Sequence, residues 1–199
     1  MSHNDFTRRR LIAALPLLWL ATPLAADAGT ASSSPKLKII TRRMWSRRGI
    51  EQDLEPLGKV RILSIHHTDE ESALMKLGDV DFLRAIENHH RDTRKWACIG
   101  YHFLIGRNGQ IYEGRPESAL GAHVHKHNAG NLGIALLGDF TKELPPQAQL
   151  ASLEQLLARL RQKYALQPRH VFGHGQLGKT TCPGPALQAW IHRYRLRKS

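Results

Sequence analysis

Three residues of the chain could together hold a zinc ion. His66 follows a run of apolar residues, and His174 and Cys182 lie eight positions apart in a segment rich in glycine and proline. Two imidazoles and one thiolate suit Zn²⁺, and three protein ligands leave a fourth coordination position for water, as catalytic zinc sites do. The pattern alone also allows a simpler interpretation, in which His66 is a histidine of the core or the surface that binds no metal.

Other histidines near these positions are weaker metal candidates. His66 and His67 are adjacent at the end of a predicted strand, so their side chains point to opposite faces and only one of them can bind that metal. His123, His125 and His127 would share one face if they lay in a strand. We interpret His125 and His127 instead as residues of a surface loop without metal.

The two cysteines of the chain, Cys98 and Cys182, are too few for a multi-disulfide scaffold or a four-cysteine zinc site. One disulfide between them would consume the thiolate that the metal needs, so the two interpretations exclude each other. Cys98 lies at the start of a predicted buried strand, where a free cysteine commonly behaves as a small apolar residue. We therefore favour zinc over the disulfide.

Residues 173–180 match the pattern G-x-x-x-x-G-K-T, the phosphate-binding loop of nucleotide-binding proteins. That loop requires a long helix starting at the lysine, whose N-terminal amides hold the phosphates. Here TCPGP follows at once at 181–185, and two prolines with a glycine oppose such a helix. The sequence therefore predicts no nucleotide ligand.

The chain is strongly basic, with 29 Lys and Arg against 17 Asp and Glu and a net charge of +12. Basic clusters lie at 42–43, 47–48 and 193–198. No recognition helix is evident and the aromatic residues are not interleaved with the charge, so we predict no nucleic-acid partner. We interpret the charge as a solvated surface attracted to an anionic cell-wall polymer.

Residues 1–28 have the layout of a signal peptide. Three arginines at 8–10 precede ten apolar residues at 11–20, too few to span a bilayer, and the sequence ADA at 26–28 offers a cleavage site. Paired arginines directly before the apolar run are typical of twin-arginine export signals, and a general secretory signal is the alternative. We expect an exported protein, periplasmic or extracellular, with a linker at 29–38, one domain at 39–199 and no integral membrane segment after cleavage.

The elements that must position the candidate ligands follow from hydrophobic periodicity. We predict strands over 60–67, 99–105, 110–113, 132–137 and 171–172, and helices over 80–94, 147–164 and 186–195. Asn108-Gly109 marks a tight hairpin turn. Because strands and helices mix without strict alternation, we expect an α/β domain with one sheet and helices packed against it.

Seven segments resemble, in order, the peptidoglycan recognition protein and N-acetylmuramoyl-L-alanine amidase family. They are TRRMW at 41–45, IHHT at 65–68, WACIGYHFLI at 96–105, GQIYEGR at 109–115, GAH at 121–123, NLGIALLG at 131–138 and GHGQLGKTTCPG at 173–184. Nearly the whole chain after the linker is covered. The resemblance implies a central mixed β-sheet flanked by helices, with a zinc site in a substrate groove on one side.

The resemblance also assigns a zinc site and a catalytic residue. His66, His174 and Cys182 match the family's three zinc ligands, which implies one Zn²⁺ per chain. Tyr101 matches the catalytic tyrosine of the family.

Further roles follow from the same resemblance. Thr180 falls where relatives carry a Thr or a Lys that helps the transition state, and the adjacent Lys179 leaves open which of the two assists catalysis. His123 and Asn128 resemble groove residues that contact glycan or peptide. The sequence departs from the family at two places. Ser46 and Arg47 follow Trp45 where the family usually has Trp-Gly-Ala, and Gly175-Gln176-Leu177 replaces the common Arg-Asp-Val.

The implied activity is zinc-dependent hydrolysis of the amide between the lactyl group of N-acetylmuramic acid and L-alanine, in peptidoglycan or in muropeptides. The alternative is an exported peptidoglycan-binding protein without turnover, because the family contains binding-only members that lack a zinc ligand. All three ligands are present here, which favours an enzyme. We expect it to be a monomer.

Overall fold

A computed structural model of the chain describes residues 37–50, 53–69 and 76–197. The predicted signal peptide at 1–28, and all of the predicted linker except Leu37 and Lys38, lie outside the described residues. The rest forms one domain with a six-stranded mixed sheet and helices on both faces. No helix among the described residues is long and apolar enough to cross a membrane.

The sheet has the strand order β1-β4-β3-β5-β2-β6, and its single antiparallel pair is the hairpin β3–β4. In β2 every residue pairs with β5, from Ile62 opposite Asn131 to His67 opposite Leu136. This places the histidine pair at the carboxyl end of a central strand. The strands are β1 (Ile39–Ile40), β2 (Ile62–His67), β3 (Phe103–Ile105), β4 (Ile111–Glu113), β5 (Asn131–Leu136) and β6 (Val171–Gly173).

Four α-helices are present among the described residues, and the third along the chain is the longest. The long helix α3 (Gln147–Tyr164) begins after Pro146 and ends where Ala165 adopts a left-handed conformation, with φ of 53°. The remaining helices are α1 (Arg42–Trp45), α2 (Asp79–Asn88) and α4 (Pro185–Arg195), and α2 continues into a π-helical turn at His89–Thr93.

The alternation of side chains along β2 separates two cores. Leu63 and Ile65 pack in a cluster with the leucines of α3 and the apolar side of α4. Phe82, Leu83 and Ile86 of α2 pack in a second cluster that contains Ala135, the residue opposite His66 in the sheet. The side chains of Ser64 and His66 therefore point to the α2 face, away from α3 and α4.

The short helix α1 is held in place by polar contacts. The guanidinium of Arg42 pairs with the buried carboxylate of Glu87 and also donates to the carbonyl of Arg48, at 3.2 and 3.0 Å. The indole of Trp45 donates to the carbonyl of Glu113 at 2.8 Å. Glu87 and Glu113 lie far away in the sequence, so no local pattern predicted this helix.

The α/β class, the single sheet and the long helix α3 agree with the sequence predictions, but several element ends differ and two short elements were missed. Strand β3 begins at Phe103 rather than at residue 99, so Cys98 lies in the preceding loop, although it is fully buried as expected. The helix predicted to reach residue 94 is α-helical only to Asn88. Neither β1 nor α1 was predicted, because they contain two and four residues.

His102 joins β5 to the loop that follows β4. The backbone N–H of Gly133 donates to its Nδ1 at 3.0 Å, and its Nε2 donates to the carbonyl of Ala119 at 2.9 Å. Both bonds use the neutral ring, and burial lowers the pKa of His102 to about 4.

We predict that this histidine makes the fold sensitive to acid. Because its folded pKa lies below the unfolded value of about 6.5, its contribution is complete above that value and is lost as the pH falls towards 4. At about pH 5 the loss should be about 2 kcal/mol of unfolding free energy. Urea unfolding in the presence of a chelator should show a shallower pH dependence for His102→Gln than for the exposed control His192→Gln. Equal slopes would contradict the assignment.

Candidate metal and catalytic site

His66 lies at the centre of a cluster of aromatic rings on the α2 face of the sheet. Its side chain is buried, with 1% of its surface exposed. Its ring centroid lies 4.6 Å from that of His174, 5.1 Å from that of His123 and 5.2 Å from that of Tyr101. The strand thus presents one histidine to this cluster, whereas His67 points to the other face and contacts Phe140.

Hydrogen bonds fix which nitrogen of His66 is free to bind a metal. His123 Nε2 lies 3.2 Å from the carbonyl oxygen of Asn131, which can only accept, so this nitrogen carries the proton. His123 Nδ1 is then an acceptor, with His66 Nε2 at 3.2 Å and Ser64 Oγ at 3.3 Å from it. We assign the donor as His66 Nε2–H, which also has Ser64 Oγ at 3.2 Å. The lone pair of His66 therefore resides on Nδ1, which faces Cys182 Sγ at 3.8 Å.

A glycine in β5 makes room for this arrangement. The ring of His123 lies over Gly133, where an added Cβ would come within 2.7 Å of two ring carbons. Gly133 is the residue opposite Ser64 in the sheet. A side chain at this position would push His123 away from His66, so the glycine keeps the hydrogen-bonded pair in contact.

The loop from β6 to α4 supplies the other two ligand candidates. His174 begins a short 3₁₀ turn directly after β6, and the N–H of Gly175 donates to the carbonyl of Cys182 at 2.7 Å, which closes the loop. Thr180 Oγ1 accepts the N–H of Cys182 at 3.2 Å. Ligand atoms of His66, His174 and Cys182 all lie within 4.8 Å of one another.

The chemistry of this donor set fits Zn²⁺. Burial and the neighbouring histidines hold the pKa of His66 well below its usual value, so its ring is neutral as a ligand must be. Burial, assisted by the carboxylate of Asp69, raises the pKa of the Cys182 thiol to about 12, a cost that a bound dication reverses by stabilising the thiolate. Both cysteines are free thiols in the structure, and Cys98 is buried elsewhere.

Tyr101 borders the ligand group and is held in place by a residue that the sequence analysis did not identify. His90, in the π-helical turn, accepts the N–H of Gly100 at 3.2 Å, and its ring lies 5.8 Å from that of Tyr101. Burial lowers the pKa of His90 to about 3, so it is a neutral acceptor. A π-turn is frequent at functional sites, but its presence cannot be read from helical periodicity.

The other predicted site residues occupy different positions around the group. Lys179 and Thr180 are exposed in the loop that carries Cys182, and the hydroxyl of Thr180 contacts the backbone of that ligand candidate. Asn128 Oδ1 accepts the N–H groups of His123 and Val124, at 3.1 and 2.8 Å, and so shapes the loop around His123.

Two further features lie apart from the ligand group. His125 and His127 are exposed in a loop, as the surface interpretation predicts. A cavity of about 990 Å³ lies between β1, residues 58–60 and the end of α3, and none of the predicted site residues lines it.

Solved structures share this fold. Peptidoglycan recognition protein-LE, crystallised with tracheal cytotoxin (a monomeric diaminopimelic acid-type peptidoglycan), is 34% identical, with a TM-score of 0.71 over 78% of this chain and 92% of that one. The N-acetylmuramoyl-L-alanine amidase LysC from Clostridium intestinale is 28% identical, with a TM-score of 0.67 over 80% and 99% of the two chains. The fold is therefore that of the peptidoglycan-recognition and amidase class.

Sequence comparison defines the family. The family model "N-acetylmuramoyl-L-alanine amidase" matches residues 56–185, and the chain belongs to that family. A curated relative, the N-acetylmuramoyl-L-alanine amidase of Sus scrofa, is 41% identical over 107 residues, which are 53% of this chain and 18% of the pig protein. The chain thus matches less than a fifth of that relative's length. The family includes catalytic amidases and peptidoglycan-recognition proteins.

Proposed function

We propose that the protein is a zinc-dependent N-acetylmuramoyl-L-alanine amidase that cleaves the amide between the lactyl group of N-acetylmuramic acid and L-alanine, in peptidoglycan or muropeptides. One observation carries the proposal. Three zinc-type ligands converge beside Tyr101, with His66 Nδ1 already turned towards Cys182 by the hydrogen bond from His66 to His123.

The residues of the chain divide the work between metal binding and catalysis. His66, His174 and Cys182 would hold one Zn²⁺, which supplies a Lewis acid for the scissile carbonyl and a water of lowered pKa. The phenol of Tyr101, whose ring lies beside that of His66, would donate to the oxygen on which negative charge develops during attack. Thr180 or Lys179 would provide a second donor from the loop that carries Cys182.

His123 and Asn128 remain our candidates for contacts with the glycan or the peptide. Both ring nitrogens of His123 and the side-chain oxygen of Asn128 already have protein partners. Their contribution to substrate binding would come from the loop that they shape and from their remaining surface.

We predict that His123 also controls metal affinity. In His123→Phe the Nε2–H of His66 keeps only Ser64 Oγ as a nearby acceptor, and loss of an outer partner such as His123 typically weakens metal binding about 10- to 100-fold. His123→Gln offers an acceptor oxygen and should retain part of the affinity. The control is His125→Phe in the same loop, which should bind zinc like the unmodified protein. Competition with a chromophoric chelator measures the zinc Kd, and an unchanged Kd in His123→Phe would contradict the hydrogen-bond assignment.

We further propose export by the twin-arginine route, with residues 1–28 removed, 29–38 as a linker and 39–199 as the functional domain. Arg8 and Arg9 belong to the three arginines that directly precede the apolar run. Replacing both by lysine should leave the protein in the cytoplasm, because that pathway requires the arginine pair. Normal export of the lysine variant would assign the segment to the general secretory route instead.

Turnover distinguishes the enzyme from a binding protein. Purified sacculi incubated with the zinc-loaded protein should release soluble peptide, and the amount released should increase with incubation time. Retention of the protein on sacculi without any release would support the binding-only alternative and overturn the proposal.

A further inference from the structure

The outer surface of α3 and α4 carries a concentration of positive charge. Between the start of α3 and residue 197 the chain has eight Lys or Arg and a single acidic residue, Glu154. Lys179 belongs to the loop that carries Cys182, and we call the other seven cations the basic face. They are Arg159, Arg161, Lys163, Arg169, Arg193, Arg195 and Arg197.

Contacts between side chains make the basic face continuous across both helices. Tyr194 of α4 lies between the guanidinium groups of Arg161 and Arg197, 5.9 and 5.0 Å from its ring centroid. Arg195 lies over the ring of Phe172 and donates to the carbonyl of Arg169 at 3.2 Å. Tyr194 therefore connects Arg161 of α3 with Arg197, and Phe172 orients Arg195.

Little of this charge is neutralised within the protein. Among the described residues, only Arg197 and Lys163 of the basic face form ion pairs with carboxylates, namely with Glu154 and Glu117 at 2.8 and 2.9 Å. Arg159, Arg169 and Arg193 are exposed. A surface of this kind attracts an extended anionic partner.

An exposed apolar residue indicates which anionic partner it fits. Leu196 lies between Arg195 and Arg197 with 71% of its surface exposed. A leucine beside cations is typical of segments that bind at the surface of an anionic bilayer, where the apolar side chain enters the interface and the cations bind headgroups. A soluble polyanion offers no environment for that leucine.

We propose that the basic face docks the protein on an anionic phospholipid surface. Because α3 and α4 pack on the sheet face opposite to the side chain of His66, docking leaves the ligand group accessible from the other side. The inference concerns a different surface from the catalytic site and does not depend on the proposed activity.

Vesicle sedimentation with the full chain tests the proposal. Wild-type protein should bind vesicles of phosphatidylglycerol and phosphatidylcholine, release them at high salt and bind less to phosphatidylcholine alone. Arg159→Gln/Arg169→Gln/Arg193→Gln should bind about 100-fold more weakly, because each cation contributes about fivefold. The control Arg94→Gln/Lys95→Gln/Lys126→Gln removes the same charge from exposed positions elsewhere and should bind nearly as well as wild type. Equal losses in the two triple variants would mean that net charge alone drives binding, which overturns the proposal.

A second variant separates a bilayer from a soluble polyanion. Leu196→Ser should weaken vesicle binding and leave binding to heparin unchanged. If Leu196→Ser binds vesicles like wild type, the face binds soluble polyanions and the lipid proposal is wrong. The variant Arg159→Lys/Arg169→Lys/Arg193→Lys changes the same three positions but keeps their charge, and it should bind vesicles nearly like wild type. Weak binding by this variant as well would show that the substitutions damage the fold rather than remove the charge.

Discussion

Replacing Cys182 with serine should abolish both zinc binding and turnover. The thiol is the one sulfur ligand in the group, and its Sγ lies 3.8 Å from the Nδ1 of His66 that the hydrogen bonds leave free. A neutral hydroxyl cannot replace a thiolate on Zn²⁺. The loss of zinc affinity should therefore exceed the roughly 10- to 100-fold expected for an outer partner such as His123.

Cys98→Ser is the matched control for this experiment. Cys98 is fully buried away from the ligand group, so the variant should keep about one zinc per chain and its activity. Metal analysis and kinetics of both variants measure the outcome. An intact Cys98–Cys182 disulfide in active protein would be incompatible with a zinc site at Cys182.

Tyr101→Phe should keep zinc and lose most of its turnover. The phenol is not among the metal ligands, but its ring lies 5.2 Å from that of His66, at the edge of the site. Removing one donor to a developing oxyanion typically lowers kcat by about 100- to 1,000-fold. Substrate binding should change far less, because the ring and its contact with His90 remain.

Tyr164→Phe provides the control for the loss of a phenol. Tyr164 lies at the end of α3, where its hydroxyl donates to Glu117 at 2.7 Å, far from the ligand group in the fold. Its kcat should match that of the unmodified protein. An unchanged kcat in Tyr101→Phe would remove Tyr101 from the mechanism, whatever the zinc content.

Much of the scaffold could be predicted from local sequence patterns. Helix α3 is long and strongly periodic and has the predicted bounds, 147–164, and β2 is marked by a run of buried, mostly apolar residues. The separation of His66 from His67 also follows directly from strand geometry. Elements that depend on distant partners were missed, above all α1, which rests on Glu87 and Glu113.

The site was predictable as a set of residue types but not as an arrangement. The sequence indicates that His66, His174 and Cys182 could bind zinc, but it cannot show which ring nitrogen of His66 is free. That depends on His66, His123 and strand residues brought together by the fold, including Gly133 beneath the ring of His123. The role of His90 in holding the segment of Tyr101 likewise depends on a π-turn that has no periodic signature.

The identity of the bond that is cleaved tests the central claim most directly. A muropeptide of defined structure, incubated with the zinc-loaded protein, should yield by mass spectrometry a sugar with a free lactyl carboxyl group and a peptide with a free N-terminal L-alanine. The same incubation with Cys182→Ser, or with a chelator, should leave the substrate intact. Binding of the muropeptide without these two products, or cleavage at any other bond, would contradict the account.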